Sequence, residues 1–230
     1  IVFGDWSSDV CSSDLAQRSL AVLDPPLVII DNYPEGQVEE FEVSRYPQDE
    51  QNKETRKIPF CRTLFIERED FMEEPPRKYF RLAPGQEVRL LNAYYITCTN
   101  VVKDANGEIV EIHCTYDPES RGGMSPDGRR VKGTIHWVSA EHAIDAELRL
   151  YEHLFTKPNP YDVEEGQDFT ANINPNSLTV LTGCKLEPSL ADAQPGTNYQ
   201  FMRKGYFVVD SRDSHPNHLV FNRTVSLRDS

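Results

Sequence analysis

EVRLLNAYYITCTNVV (residues 87–102), KDANGE (103–108) and IVEIHCTY (109–116) are the passage on which the fold turns. Through the first run apolar and polar residues alternate with the two-residue period of a strand. One face carries Val88, Leu90, Asn92, Tyr94, Ile96 and Cys98, and the other Arg89, Leu91, Ala93 and Tyr95. Asn106-Gly107 supplies residues that tolerate the positive backbone angles of a tight turn, so the third run is expected to return as the partner strand. A long β-hairpin follows.

The rest of the chain repeats this grammar. Apolar runs at 19–30 are split by Asp24-Pro25-Pro26, which cannot lie inside a helix because proline lacks the donor and clashes with the preceding turn. An edge strand is expected over 38–43, followed by a surface loop to Lys57. Strands are expected over 58–67, 131–138, 147–155, 178–181, 184–186, 199–203, 206–210 and 220–227, and a short helix over 69–80, broken by Pro75-Pro76. Many short strands with frequent turn signals predict an all-β fold of two antiparallel β-barrels with short helices. The boundary is expected in the Pro/Gly-rich loop at 117–130, giving barrels over 16–120 and 121–230 with strand exchange between them. GDWSSDVCSSDL at 4–15 has no periodicity and resembles a translated sequencing adapter. Whether adapter or flexible linker, the tail at 1–15 is expected to be disordered, and an adapter origin implies that the natural chain continues upstream.

The 230 residues, 38% of them hydrophobic, suffice for a buried core. A net charge of −13 opposes indiscriminate nucleic-acid binding, which needs cations at the phosphates. Basic residues nevertheless gather at Arg77, Lys78, Arg81 and Arg89, and again at Arg121, Arg129, Arg130 and Lys132. On sequence alone a solvated face is the ordinary reading of such clusters, ahead of contact with RNA. The five cysteines, Cys11, Cys61, Cys98, Cys114 and Cys184, form no CxxC pair and imply a reducing cytoplasm. No apolar run is long enough for a membrane helix. There is no phosphate-binding loop, nucleophile elbow or HExxH site, His215-x-x-His218 lacks a third ligand, and neither a catalytic constellation nor a metal site is expected.

The chain resembles the glutaminyl-tRNA synthetases in AQRSLAVLDP (16–25), RLAPGQEVRLLNAY (81–94), VKGTIHWVSAEHA (131–143), LRLYEHLF (148–155), YQFMRKGYF (199–207) and FNRTVSLRD (221–229). That resemblance implies paired anticodon-binding, ribosomal-protein-like β-barrels. It also implies a monomer, and a parent protein whose separate N-terminal catalytic domain uses ATP and Mg to join glutamine to tRNA(Gln); no cofactor is implied for the present residues. By the same likeness Arg18 and Gln200 bind the central uridine of the anticodon, Arg81 the third base and Arg89 the first, with Asn52, Phe80 and Arg203 as further contacts. Phe80 stands where the family often has lysine, Leu91 where a second arginine can occur and Met202 where an acid is common. The glutamate-specific relatives share these barrels, and a non-catalytic barrel that binds RNA or protein is the remaining alternative.

Overall fold

Residues 16–227 are described in the computed structural model; the expectations for the tail at 1–15 and for Arg228 and Asp229 lie outside the described residues. The strands are β1 (Gln17–Ser19), β2 (Ala21–Val22), β3 (Leu27–Ile30), β4 (Glu39–Ser44), β5 (Thr55–Phe60), β6 (Thr63–Ile66), β7 (Glu87–Leu90) and β8 (Tyr95–Lys103). They continue with β9 (Ile109–Asp117), β10 (Thr134–Ile135), β11 (Trp137–Ser139), β12 (Ile144–Tyr151), β13 (Leu178–Leu186), β14 (Asn198–Phe201), β15 (Gly205–Val209) and β16 (Leu219–Val225). The all-β expectation holds, and among the described residues helix is confined to 3-10 turns of three or four residues.

Two seven-stranded sheets each curl into a nearly closed barrel. The first runs β10-β7-β8-β9-β3-β6-β11, the second β1-β14-β15-β16-β12-β13-β2, and β4-β5 form a separate ribbon. Most pairings are antiparallel, but β1–β14, β7–β10, β3–β9 and β12–β16 are parallel. The first two strands therefore belong with the last five, and the intervening chain builds the other barrel. β10 and β11 sit at opposite ends of the first sheet's order, separated in sequence by His136 alone. β1 and β2 do the same in the second sheet around Leu20. Each barrel is thus drawn together by one kinked segment that switches edges, which removes exposed edges that would invite pairing with other chains.

The hairpin β8–β9 forms as expected, with Cys98 opposite Cys114. Of its turn residues Gly107 alone takes a positive φ (85°), because Asp104 Oδ1 accepts from the Asn106 and Glu108 amides and holds Asn106 in ordinary geometry. The run 87–102 is not one strand. It folds back at Asn92, whose φ of 62° asparagine tolerates better than most residues, so that Val88 faces Ile96. Apolar residues continue through that turn and leave both Tyr94 and Tyr95 buried, which is why alternation alone does not mark it. No helix forms over 69–80: a 3-10 turn at Arg68–Asp70 gives way to irregular chain at the prolines. The expected loop to Lys57 is cut short by β5, and the expected strand at 131–138 breaks at His136.

Phe60 centres the first core, in edge-to-face contact with Tyr33, Phe41, Tyr94 and Trp137. In the second, Phe201 stacks on Phe207 at 4.6 Å and packs against Phe221. Aromatic pairs of this kind contribute about 0.5–1.5 kcal/mol each beyond their buried area. Val225, at the end of β16, is half exposed.

Between the barrels lies a polar seam. Glu187, fully buried, accepts from the Leu20 amide at 2.8 Å and pairs with buried Arg56, whose other nitrogen reaches the Ser44 carbonyl. Glu187→Ala strands the Arg56 charge and is expected to cost about 3–5 kcal/mol. Lys57→Ala, which removes an exposed pair with Glu40, is expected to leave the urea midpoint unchanged. Equal shifts in the two variants' urea denaturation curves would contradict this assignment.

Candidate nucleic-acid interface

Parallel pairing of β1 with β14 sets Arg18 directly opposite Gln200, and Arg18 Nε donates to Gln200 Oε1 at 3.0 Å. The terminal Arg18 nitrogens and the Gln200 amide nitrogen have no partner among the described residues. Arg18 borders a cleft of about 320 Å³ whose walls include Val43, Pro47, Leu91, Asn92 and Met202, with Arg56 and Glu42. Apolar walls beside free, planar donors suit a flat heterocycle, which can be gripped by its edge while its face packs. Asn52 lies in the loop joining β4 to β5; its side chain accepts from the Glu54 amide. Neighbouring loop residues hold the start of β1, through Arg45 to Gln17 and Gln48 to the Ala16 carbonyl.

Arg81 and Arg203 share one carboxylate. Asp70 has no solvent exposure; it receives two hydrogen bonds from Arg203, at 2.6 and 2.9 Å, and Arg81 Nε at 3.0 Å. Arg203 reaches it from the β14–β15 turn with a φ of 67°, so a strained backbone carries this contact between the barrels. Its guanidinium is spent on Asp70, whereas Arg81 remains about a third exposed. Next to it the Phe80 ring is 44% exposed, with Lys132 Nζ 5.0 Å from its centre. Gly133 is required there, since a Cβ would lie 2.3 Å from the Phe80 carbonyl oxygen.

Arg89 projects from β7 to Thr134 Oγ1, with Nε and Nη2 at 3.0 and 2.8 Å, and reaches the Gly123 carbonyl at 3.4 Å. With Tyr95, Met124, Arg130 and others it lines an open hollow of about 410 Å³. The basic clusters divide on inspection. Arg129 is neutralised by Glu87, Asp117 and Asp127, and Arg121 pairs with Glu39, while Arg77, Lys78 and Arg130 are exposed without an ion pair among the described residues.

The structure strings these positions along one line of contact. Gln200 bonds Arg18; Arg203, three residues on, shares Asp70 with Arg81; Phe80 abuts Gly133; and the Gly133 carbonyl accepts from the Arg89 amide at 2.9 Å. Asp70, Thr134 and Gly133 are the members that sequence reasoning missed. Asp70 carries no local signal at all, whereas Gly133 stands out as the glycine of VKGT just ahead of a strand.

A second buried chain of bonds supports that line. His136 Nε2 donates to the Ala21 carbonyl at 2.8 Å and lies 3.4 Å from Glu67, while Nδ1 lies 3.4 Å from Arg203. Glu67 accepts from the Leu23 amide at 2.8 Å and pairs with Lys204 at 3.2 Å. Burial works against the Glu67 carboxylate, but His136, Lys204 and the Leu23 amide outweigh it and hold its pKa below the ordinary range.

Two family models match the chain, both described as "tRNA synthetases class I (E and Q), anti-codon binding domain", one over residues 16–117 and the other over 134–210. The chain belongs to this family of anticodon-binding domains. Over 215 residues it is 54% identical to the glutamine–tRNA ligase of Pseudomonas putida, 52% to that of Pseudomonas syringae and 53% to that of Nitrobacter winogradskyi. Each match covers 94% of this chain and 37% of the relative, so the chain spans little over a third of the length of those relatives.

Because the Glu67 pKa is depressed on folding, its contribution is fully present above the ordinary carboxylate range and is lost as pH falls through the folded value. Glu67→Gln is therefore expected to flatten the acid limb of stability measured by urea denaturation between neutral pH and pH of about 3. An acid limb identical to wild type would refute the role given to this carboxylate.

Proposed function

We propose that the two barrels read the anticodon loop of tRNA(Gln) for a parent enzyme, a cytoplasmic glutamine–tRNA ligase that uses ATP and Mg in a separate catalytic domain. Arg18 and Gln200 carry the reading: a hydrogen-bonded pair with free donors, its arginine on the rim of a partly apolar cleft, to which the central uridine is assigned. Arg81 takes the third base with Phe80 as a stacking face, Arg89 the first, and Asn52 lies on the loop beside the central pocket. Arg203 acts through Asp70, holding Gln200 and Arg81 in register. The relatives named above are glutamine–tRNA ligases, which supports glutamine over glutamate. Four buried cysteines, all free, suit a reducing compartment, and no described helix is long and apolar enough to cross a membrane.

The isolated anticodon loop is single-stranded, so its bases offer edges that a duplex hides. A good two-point contact discriminates by about 1–3 kcal/mol. Fluorescence anisotropy of the full chain with the tRNA(Gln) anticodon stem-loop is expected to show tighter binding to central U than to central C. Gln200→Ala should remove most of that difference, and Arg18→Ala should weaken binding to both. Equal affinity of the unmodified chain for the two stem-loops would overturn the proposal.

A further inference from the structure

Where the chain leaves the first barrel for the second, the turn after β11 packs against the corner between β5 and β6. Three side chains of metal-binding type converge there: Cys61 Sγ, a Glu141 carboxylate oxygen and a His142 ring nitrogen lie within 4.8 Å of one another. The Cys61 side chain is buried, His142 is half-buried and Glu141 is exposed, so a soft donor forms the floor and a carboxylate guards the mouth. Ser139 Oγ stands between the first two, 2.9 Å from Cys61 Sγ and 2.8 Å from His142 Nδ1. Thr63 completes the wall, its carbonyl 3.0 Å from the thiol and its hydroxyl donating to Glu141 at 3.4 Å. Backbone bonds hold the donors in place: the Ala140 amide to the Thr63 carbonyl at 2.9 Å, and the Ala143 amide to the Ser139 carbonyl at 2.8 Å.

We propose that Cys61, Glu141 and His142 bind a thiophilic divalent cation of the zinc class. One thiolate, one imidazole and one carboxylate form a donor set that zinc or cobalt accepts and that calcium and magnesium, which require oxygen ligands, do not. Donors at about 2.0–2.3 Å from a tetrahedral ion stand roughly 3.5 Å apart, so separations of up to 4.8 Å have to contract by about 1.3 Å at most. Exposed Glu141 and half-buried His142 are free to make that movement, and water fills the fourth position. On binding, the Cys61 thiol releases its proton to solvent and the chain of two hydrogen bonds through Ser139 is replaced by metal–ligand bonds. A bound ion clamps the β5–β6 corner to the segment that crosses between the barrels.

The other described cysteines offer no such set: Cys98 faces Cys114 inside the first barrel, and Cys184 is buried in the second core. His215 and His218 adjoin each other without a thiol and give no sulfur–metal signal. Titration of the full chain with Co2+, in a non-thiol reductant and without chelators, is expected to produce a thiolate-to-cobalt charge-transfer band in the near ultraviolet that saturates at one ion per chain. Zn2+ should displace the cobalt and raise Tm. Cys61→Ser should abolish both the band and the Tm rise, and Cys98→Ser should leave them intact. Glu141→Gln and His142→Gln should weaken affinity by about tenfold or more, the scale seen even for outer partners of metal sites. No band in the unmodified chain, a band that survives Cys61→Ser, or unchanged affinity in both Glu141→Gln and His142→Gln would overturn the site.

Discussion

Asp70, a carboxylate with no access to water, holds the guanidinium of Arg203 across the gap between two barrels while also engaging Arg81 of its own. The described residues bury four charged side chains, Arg56, Glu67, Asp70 and Glu187, and all four lie along this junction. Taking charge out of water is expensive, and well-packed apolar residues often give equal or greater stability. What such pairs provide is direction: each has a narrow set of acceptable geometries, and several together restrict how the barrels dock.

The junction and the closure of the barrels are the same piece of architecture. Leu20 and His136 mark the kinks at which a strand leaves one edge of its sheet and joins the other. His136 bonds the carbonyl of Ala21, so the two closing segments are tied across the junction, while Glu187 binds the amide of Leu20 within the second barrel. Arg18 lies two residues before the Leu20 kink, and Gln200 three residues before Arg203. The elements that fix barrel against barrel therefore also position the proposed base contacts, although these are scattered from 18 to 203 in the sequence.

Much of this was legible in the sequence, for identifiable reasons. Strand after strand is marked by β-branched and aromatic residues with frequent turn signals, and the β8–β9 hairpin announces itself through Asn106-Gly107. The fold-back at Asn92 was hidden because apolar residues run through it on both sides. Edge switching at Leu20 and His136 leaves no periodic trace, since each kink costs one residue of an otherwise strand-like run. Arg18, Gln200, Arg81 and Arg89 were named through family resemblance, but nothing local distinguishes Arg203, which is committed to Asp70, from arginines with free donors. That distinction depends on a partner more than a hundred residues away. The same distance hid the convergence of Cys61 with Glu141 and His142.

Asp70 is the group on which the account most depends, and because it is wholly buried it cannot touch RNA itself. Stem-loop affinity of Asp70→Asn, measured at a temperature where circular dichroism shows the variant folded, isolates its effect on geometry. The account predicts that discrimination at the central and third anticodon positions falls together, because Arg203 and Arg81 lose their common anchor. A folded Asp70→Asn protein that retains discrimination at both positions would contradict it.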